Sequence, residues 1–187
     1  MANQAWQITS PGVISLATLS TPVPKPGPKQ ALIRIYAAAL NYRDLLVVDH
    51  SPNYPSKAKQ GLVPCCDGAG VIEDVGADST WKKGDRVIIQ PNTWMRGTDA
   101  RDFNMMEVGG GGDIDGTLRR WMVYEDERLV KAPEGLSLVE ACTLITAGAT
   151  AYRALFHGPL KLQPGMFVLT QGTGGVSCYA IQVSHLC

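Results

Sequence analysis

The sequence predicts a mainly β domain followed by helices and one strand–glycine turn–helix unit. Up to about residue 130, short alternating or apolar runs are separated by glycine- and proline-rich turns, which is a β pattern. At Ser137 the period becomes helical, opened by the capping box Ser137-Leu-Val-Glu140. Gly165-Met-Phe-Val-Leu-Thr-Gln-Gly172-Thr-Gly-Gly-Val176 then reads as a buried strand running into a glycine-rich turn. The expected domains are residues 1–130 and 131–187.

The elements follow in order. Residues 1–20 read as two short strands turning at Gly12. Thr21 to Pro28 carries four prolines at alternate positions, an extended, unpaired connector. Gln30 to Ala39 is a strand, with Leu32, Arg34 and Tyr36 alternating against Ile33 and Ile35. Leu40 to Leu46 gives one or two helical turns, and Asp49 to Gln60 a loop. Strands are expected within Pro64–Gly76, after the turn at Lys83-Gly-Asp, over Gly116–Tyr124 and over Leu129–Pro133. Asn92 to Gly116 is a loop of about 25 residues, long enough to suggest a function or a disordered tip rather than a simple connector. Its Trp94, Met95, Met105 and Met106 either contact an apolar substrate or pack the loop down. The capping box starts a helix through Ala141, Leu144 and Ile145. A second helix covers Ala149 to Phe156, ended by Gly158 and Pro159. Val176 to Leu186 begins a last helix, whose amides could hold a phosphate.

Seventeen basic residues balance seventeen acidic ones, so nothing electrostatic favours nucleic acid or an anionic membrane. No apolar run approaches a membrane span, and Met1 to Ser10 lacks the pattern of a signal peptide, so a cytoplasmic protein is expected. Five cysteines, an odd count without a C-x-x-C pair, imply reduced thiols; adjacent Cys65 and Cys66 are a poor start for a zinc site. His50, His157 and His185 are scattered, beside no candidate nucleophile.

Asn41-Tyr-Arg-Asp44, Asp67-Gly-Ala-Gly-Val-Ile72, Gly76, Gly84-Asp-Arg-Val87, Gly116 with Trp121, Ala147-Gly-Ala-Thr-Ala-Tyr152 and Gly172-Thr-Gly-Gly-Val176 occur in one order. Together they resemble the medium-chain dehydrogenase/reductase superfamily, over nearly the whole chain from about residue 12. The resemblance implies a GroES-like β-barrel substrate domain leading into a Rossmann nucleotide-binding domain, here the start of one. Zinc alcohol dehydrogenases of that family look for a Cys at Asn41, a His at Cys66 and a Cys near Thr146, and for four cysteines within about residues 90–115. This sequence has none of them, so it resembles the zinc-independent, quinone oxidoreductase-like branch, whose members are often named zinc-type alcohol dehydrogenase-like.

By that resemblance a reduced nicotinamide, NADP(H) or alternatively NAD(H), delivers hydride to a quinone, enone or carbonyl substrate, without zinc. Asn41 would contact the nicotinamide or substrate oxygen, or simply cap the following helix. Tyr42 would donate a hydrogen bond to substrate or merely pack. Asp44 reads as a supporting carboxylate, paired with Arg43 or not. Thr150 would sit beside the nicotinamide, or bond its own backbone. Gly172, Thr173, Gly174, Gly175 and Val176 would line the pyrophosphate, and the Ser177 hydroxyl could meet a phosphate. The residue that reads the ribose lies about 20 residues past such a turn, beyond Cys187. Two readings stay open. One is an N-terminal fragment of an oxidoreductase that binds NADPH weakly or not at all. The other is a non-catalytic truncated barrel that associates, as a homo-oligomer or with a full-length relative, through the sheet edge exposed at Phe167 to Leu169.

Overall fold

A computed structural model of the chain describes residues 2–18, 22–93 and 99–185. β1 (Gln4–Ser10) and β2 (Val13–Thr18) form the expected antiparallel hairpin, with Gly12 at φ 75° in the turn. A second sheet is built on β3 (Gln30–Ala39), which lies between β4 (Asp67–Val75) and β6 (Trp121–Glu125). β5 (Arg86–Ile89) pairs with β4, and β7 (Leu129–Lys131) with β5, giving the antiparallel order β6-β3-β4-β5-β7.

The period-2 reading of β3 decides its faces. Ile33 joins Ala31, Ile72, Val87, Ile89, Met122, Tyr124 and Leu129 in one buried cluster, with Ile35 packed against it. Full burial of an aliphatic side chain of this size contributes about 1.5–3 kcal/mol. Arg34 and Tyr36 are exposed, with the guanidinium carbon 4.9 Å from the ring centroid.

The third β6 expectation is shorter than read. Residues 116–120 are not strand; their backbone ties neighbouring segments together. Gly116 N–H donates to Val63 O at 2.7 Å, Thr117 N–H to Cys65 O at 2.8 Å, and Trp6 N–H to Leu118 O at 2.9 Å. The loop after Asn92 is held by Arg128, which is buried, stacks 4.0 Å over Tyr124, and donates to Pro91 O at 2.8 Å and Asn92 O at 3.1 Å. Met105 is half-buried and accepts a hydrogen bond from Tyr54 O–H at 3.8 Å, so it packs the loop down. Trp94 and Met95 lie outside the described residues.

The chain divides into two compact units, residues 1–142 and 143–187. The first keeps α1 (Tyr42–Val48) and α2 (Leu138–Ala141), the latter packed on β3 and β4. The capping box at α2 is present: Ser137 Oγ accepts from Glu140 N–H at 3.2 Å, and Glu140 Oε2 accepts from Ser137 N–H at 2.8 Å. The helix does not continue through Leu144 and Ile145 as an α-helix. Leu144–Gly148 is instead a π-helical turn, in the second unit, leading into α3 (Ala149–Phe156). α4 (Gly175–Ser184) packs on α3, and the hydroxyls of Thr143 and Tyr179 share a hydrogen bond.

The buried strand expected at Phe167–Leu169 is a correction. These residues belong to no ladder among the described residues, and Phe167 and Leu169 are 103% and 90% exposed. A strand exists only through pairing, and among the described residues none pairs with this stretch. Among the described residues no helix is long and apolar enough to cross a membrane. Cys65, Cys66, Cys142 and Cys178 form no disulfide, and the first three are buried.

Candidate active site

The site of the first unit forms where β3 ends, α1 begins and β4 starts. Asn41 occupies the N-cap of α1 with extended backbone, φ −118° and ψ 158°. Asp44, at the third helical position, accepts the Asn41 backbone N–H at 2.8 Å. The expected cap is therefore real, but the Asn41 side chain does more than cap. Its Nδ2 donates to Asp67 Oδ2 at 2.9 Å and approaches Cys66 Sγ at 3.7 Å and Ala39 O at 3.5 Å. Sequence reasoning placed Asn41, Cys66 and Asp67 as separate features; β3–β4 pairing, which sets Ala39 opposite Asp67, brings them together.

Asp67 is 1% exposed and Cys66 also 1%, with Cys66 Sγ 3.7 Å from Asp67 Oδ1. Asp67 was absent from the expected site. Its signal lay in the sequence as a charged residue opening the run Gly68-Ala-Gly-Val-Ile72, where a buried carboxylate needs a partner.

Arg43 is not solvated. Its Nε donates to Tyr54 Oη at 2.9 Å and its Nη1 to Gly109 O at 3.4 Å. Burial works against its charge, but Cys66, Tyr54 and Asp44 outweigh it, and its pKa lies above the ordinary arginine value. Asp44 is 5% exposed, and burial raises its pKa above the usual carboxylate range; the Asn41 N–H and Arg43 oppose this, and the charge of Asp67 adds to it. Arg43 Nη2 and Asp44 Oδ1 are buried without a hydrogen bond.

The floor is a backbone strap. Cys65 sits at φ 77°, its thiol donating to Ala39 O at 3.1 Å, and burial pushes that thiol up to about 12. Thr117 Oγ1 donates to Asp67 O at 2.8 Å and to Cys65 O at 3.3 Å. Gly116 lies so close that a Cβ there would meet Cys65 O at 1.9 Å. The polar, glycine-rich stretch read as loop thus has a defined duty: Gly109–Gly112 are buried behind Arg43 and Cys65.

Around this buried polar centre the rim is apolar and open. Leu40 is 76% exposed and Tyr42 75%, with Leu45 also exposed. Tyr42 therefore does not simply pack; its ring and hydroxyl face solvent beside Asn41. The arrangement combines a rigid amide, a buried carboxylate pair and an apolar lip, which can orient a small apolar molecule carrying one polar group. Among the described residues no group of three or more His, Cys, Asp or Glu side chains is arranged to hold a metal.

The second unit carries the glycine turn. Gly172 has φ 79°, and Gly172 and Gly174 both face open space where a Cβ would be. Thr173 is exposed on the same turn, and Val176 is exposed in the first turn of the ten-residue helix α4 that follows. An exposed, side-chain-free turn at a helix N-terminus fits a pyrophosphate-type anion. Gly175 also has a packing duty: a Cβ there would lie 3.1 Å from Ala147 Cβ, so it lets α4 approach the π-helical turn. The Ser177 hydroxyl already donates to Gln171 O at 3.0 Å and so closes the turn. Thr150 is exposed on the first turn of α3. His157 stands beside Tyr152, ring centroids 5.6 Å apart.

With this geometry in view, likeness to known proteins is informative. Residues 27–134 match the alcohol dehydrogenase GroES-like domain family. A zinc-type alcohol dehydrogenase-like protein of Schizosaccharomyces pombe is 40% identical over 161 residues, covering 84% of this chain and 45% of that protein. A quinone oxidoreductase of Pongo abelii is 30% identical over 187 residues, covering 98% of this chain and 49% of that protein. The solved structure of an NAD-dependent alcohol dehydrogenase superimposes with a TM-score of 0.83 at 29% identity, over 98% of this chain and 55% of that one. The chain thus spans about half the length of the curated relatives it matches. The domain match, the shared fold and the ordered glycine and site motifs agree: the chain belongs to the medium-chain dehydrogenase/reductase superfamily, through an alcohol dehydrogenase GroES-like domain.

Proposed function

We propose that the chain serves a zinc-independent, NAD(P)(H)-dependent oxidoreductase acting on a quinone, enone or carbonyl/alcohol substrate. The observation that carries this reading is the fate of the ligand positions. Asn41 and Cys66, where zinc relatives place Cys and His, are hydrogen-bonded to each other and to Asp67. An amide, a thiol and, at the third position, Thr146 do not make the three strong ligands of a catalytic zinc. A bound nicotinamide would supply the hydride. What this chain's own residues contribute is orientation. The Asn41 amide is held by Asp67, the exposed Leu40, Tyr42 and Leu45 side chains offer apolar contact, and the Tyr42 hydroxyl can donate to a substrate oxygen. The Gly172–Val176 turn suits the cofactor pyrophosphate, and NADP(H) is the preferred form by family resemblance. The printed names of relatives, an alcohol dehydrogenase-like protein and a quinone oxidoreductase, support hydride chemistry of this kind.

Metal analysis of protein purified in the presence of zinc checks the first part: tightly bound, stoichiometric zinc would refute it. Fluorescence titration with NADPH checks the second: Gly172→Val should weaken binding at the turn, and binding that this substitution leaves unchanged would refute the assignment.

A second reading is favoured by one feature, the exposure of Phe167 and Leu169 on backbone that pairs with no strand among the described residues. Under it the polypeptide is a non-catalytic partner that associates through this edge. A monomer by light scattering, resistant to proteolysis along residues 165–171, would remove its basis.

A further inference from the structure

We infer that β2 is a self-association edge: two copies of the chain pair β2 against β2, antiparallel, and join their hairpins into one four-stranded sheet. No residue of the candidate site takes part. Among the described residues β2 (Val13–Thr18) pairs with β1 alone. Among them, too, no backbone hydrogen bond joins Val13–Thr18 to a segment beyond the hairpin. The alternate N–H and C=O groups on its other side therefore face no strand, and an extended backbone is the partner that completes them. β1 is not open in this way. On its outer side Trp6 N–H donates to Leu118 O at 2.9 Å, and Gln4 O accepts from Arg120 N–H at 2.8 Å.

Exposed strand edges are normally guarded by charge or proline. The two edges of the five-stranded sheet follow that rule, since β6 carries Glu125 and β7 carries Lys131. β2 reads Val-Ile-Ser-Leu-Ala-Thr, and residues 1–24 hold no charged side chain. Val13, Ile14 and Leu16 are 47%, 38% and 55% exposed, and Trp6, opposite Leu16 in the hairpin, is exposed as well. Charge complementarity selects the occupant. A charged strand laid on this edge would have its ions dehydrated with no counter-charge to meet, whereas a second β2 brings none. Symmetry narrows the register. A two-fold axis through the middle of an antiparallel pair sets one residue opposite its own copy. With the axis at Ser15, Ile14 of each copy lies opposite Leu16 of the other, and these two apolar cross-strand pairs continue the Trp6–Leu16 pair of each hairpin. A six-residue strand is a small contact beside the roughly 1,600 Å² of a standard interface, so the dimer is weak and reversible.

The test uses the full 187-residue chain carrying Cys178→Ser and Cys187→Ser, so that neither native thiol cross-links copies. Between about 1 μM and about 1 mM its mass by light scattering should climb from monomer towards dimer. Ser15→Lys sets two like charges opposite each other and should keep the chain monomeric over that range. Ser15 is exposed, so the thermal unfolding of this variant at low concentration should match the parent and show it folded. Phe167→Lys, which removes the apolar ring from the other exposed stretch, should leave dimerisation intact. A cross-link reads the register directly. Directly opposed Cα atoms in an antiparallel pair are about 4.5–5.5 Å apart, a span a disulfide can bridge. With oxidised glutathione, Ser15→Cys should therefore link two copies, whereas Val13→Cys, also exposed but set opposite Ala17, should not. A monomer at every concentration, which would leave β2 to a foreign strand, overturns the inference. So does a dimer that survives Ser15→Lys, a dimer that Phe167→Lys abolishes, or equal cross-linking at positions 13 and 15. NADPH titration is read separately, so failure to bind cofactor counts against the proposed function and not against this edge.

Discussion

Replacing Asn41 by Asp tests the buried hydrogen bond at the centre of the site. The substitution keeps size and shape but sets a carboxylate oxygen where Nδ2 stands, 2.9 Å from Asp67 Oδ2. Two unit charges at that separation repel by about 6 kcal/mol at an effective dielectric of about 20. Protonating one of the pair caps the cost. At pH 7, with an ordinary carboxylate pKa near 3.9, that proton costs about 4 kcal/mol, because each pH unit is worth about 1.4 kcal/mol. Asn41→Asp should therefore lose about 4 kcal/mol of stability at about pH 7 and only about 1.5 kcal/mol at about pH 5. The sign follows from proton uptake. The folded variant holds a shared proton that the unfolded chain releases, so stability falls as pH rises. Urea denaturation of wild type and variant across this range measures it. The double substitution Asn41→Asp with Asp67→Asn reverses the bond's polarity without removing it, and should recover all but about 1 kcal/mol. A single variant within about 1 kcal/mol of wild type at about pH 7, or one whose deficit ignores pH, would refute the reasoning.

Further outcomes follow from neighbouring geometry. Gly116→Ala forces a Cβ to 1.9 Å from Cys65 O and should cost more than about 3 kcal/mol or abolish folding, whereas Gly135→Ala, with nothing within 4 Å, should be neutral or mildly stabilising by thermal denaturation. Thiol labelling at mildly alkaline pH should modify exposed Cys178 well before Cys65, whose thiol is buried and raised to about 12; equal rates would contradict the burial. Burial lifts the Asp44 pKa, so the folded state holds its proton to higher pH than the unfolded chain. Stability should then fall as pH rises from the ordinary carboxylate range through the raised folded value, and Asp44→Asn should flatten that part of the profile.

By itself the sequence determined whatever is local or periodic. Alternation in Gln30–Ala39 placed β3 to the residue, because side chains in a strand must point to opposite faces. Ser137 and Glu140 marked a helix start through a motif contained in four residues, and Gly12 marked a hairpin turn. Asn41, Tyr42 and Asp44 could be singled out from the sequence because they form one short motif. Tertiary structure alone decided what depends on contacts far apart in the chain. It brought Asp67, 26 residues from Asn41, into hydrogen-bond contact and so turned a helix cap into a fixed amide. It gave the buried glycines of residues 109–112 and Gly116 their duty against Arg43 and Cys65, which no turn rule contains. The apolar run at Phe167–Leu169 marks the limit of reading by periodicity: three consecutive apolar residues announce a buried strand only if partners flank them. Here the ladder is missing among the described residues, so the same residues stand exposed. Hydrophobicity is carried by the residue, whereas burial is carried by its neighbours, and only the folded chain determines who those neighbours are.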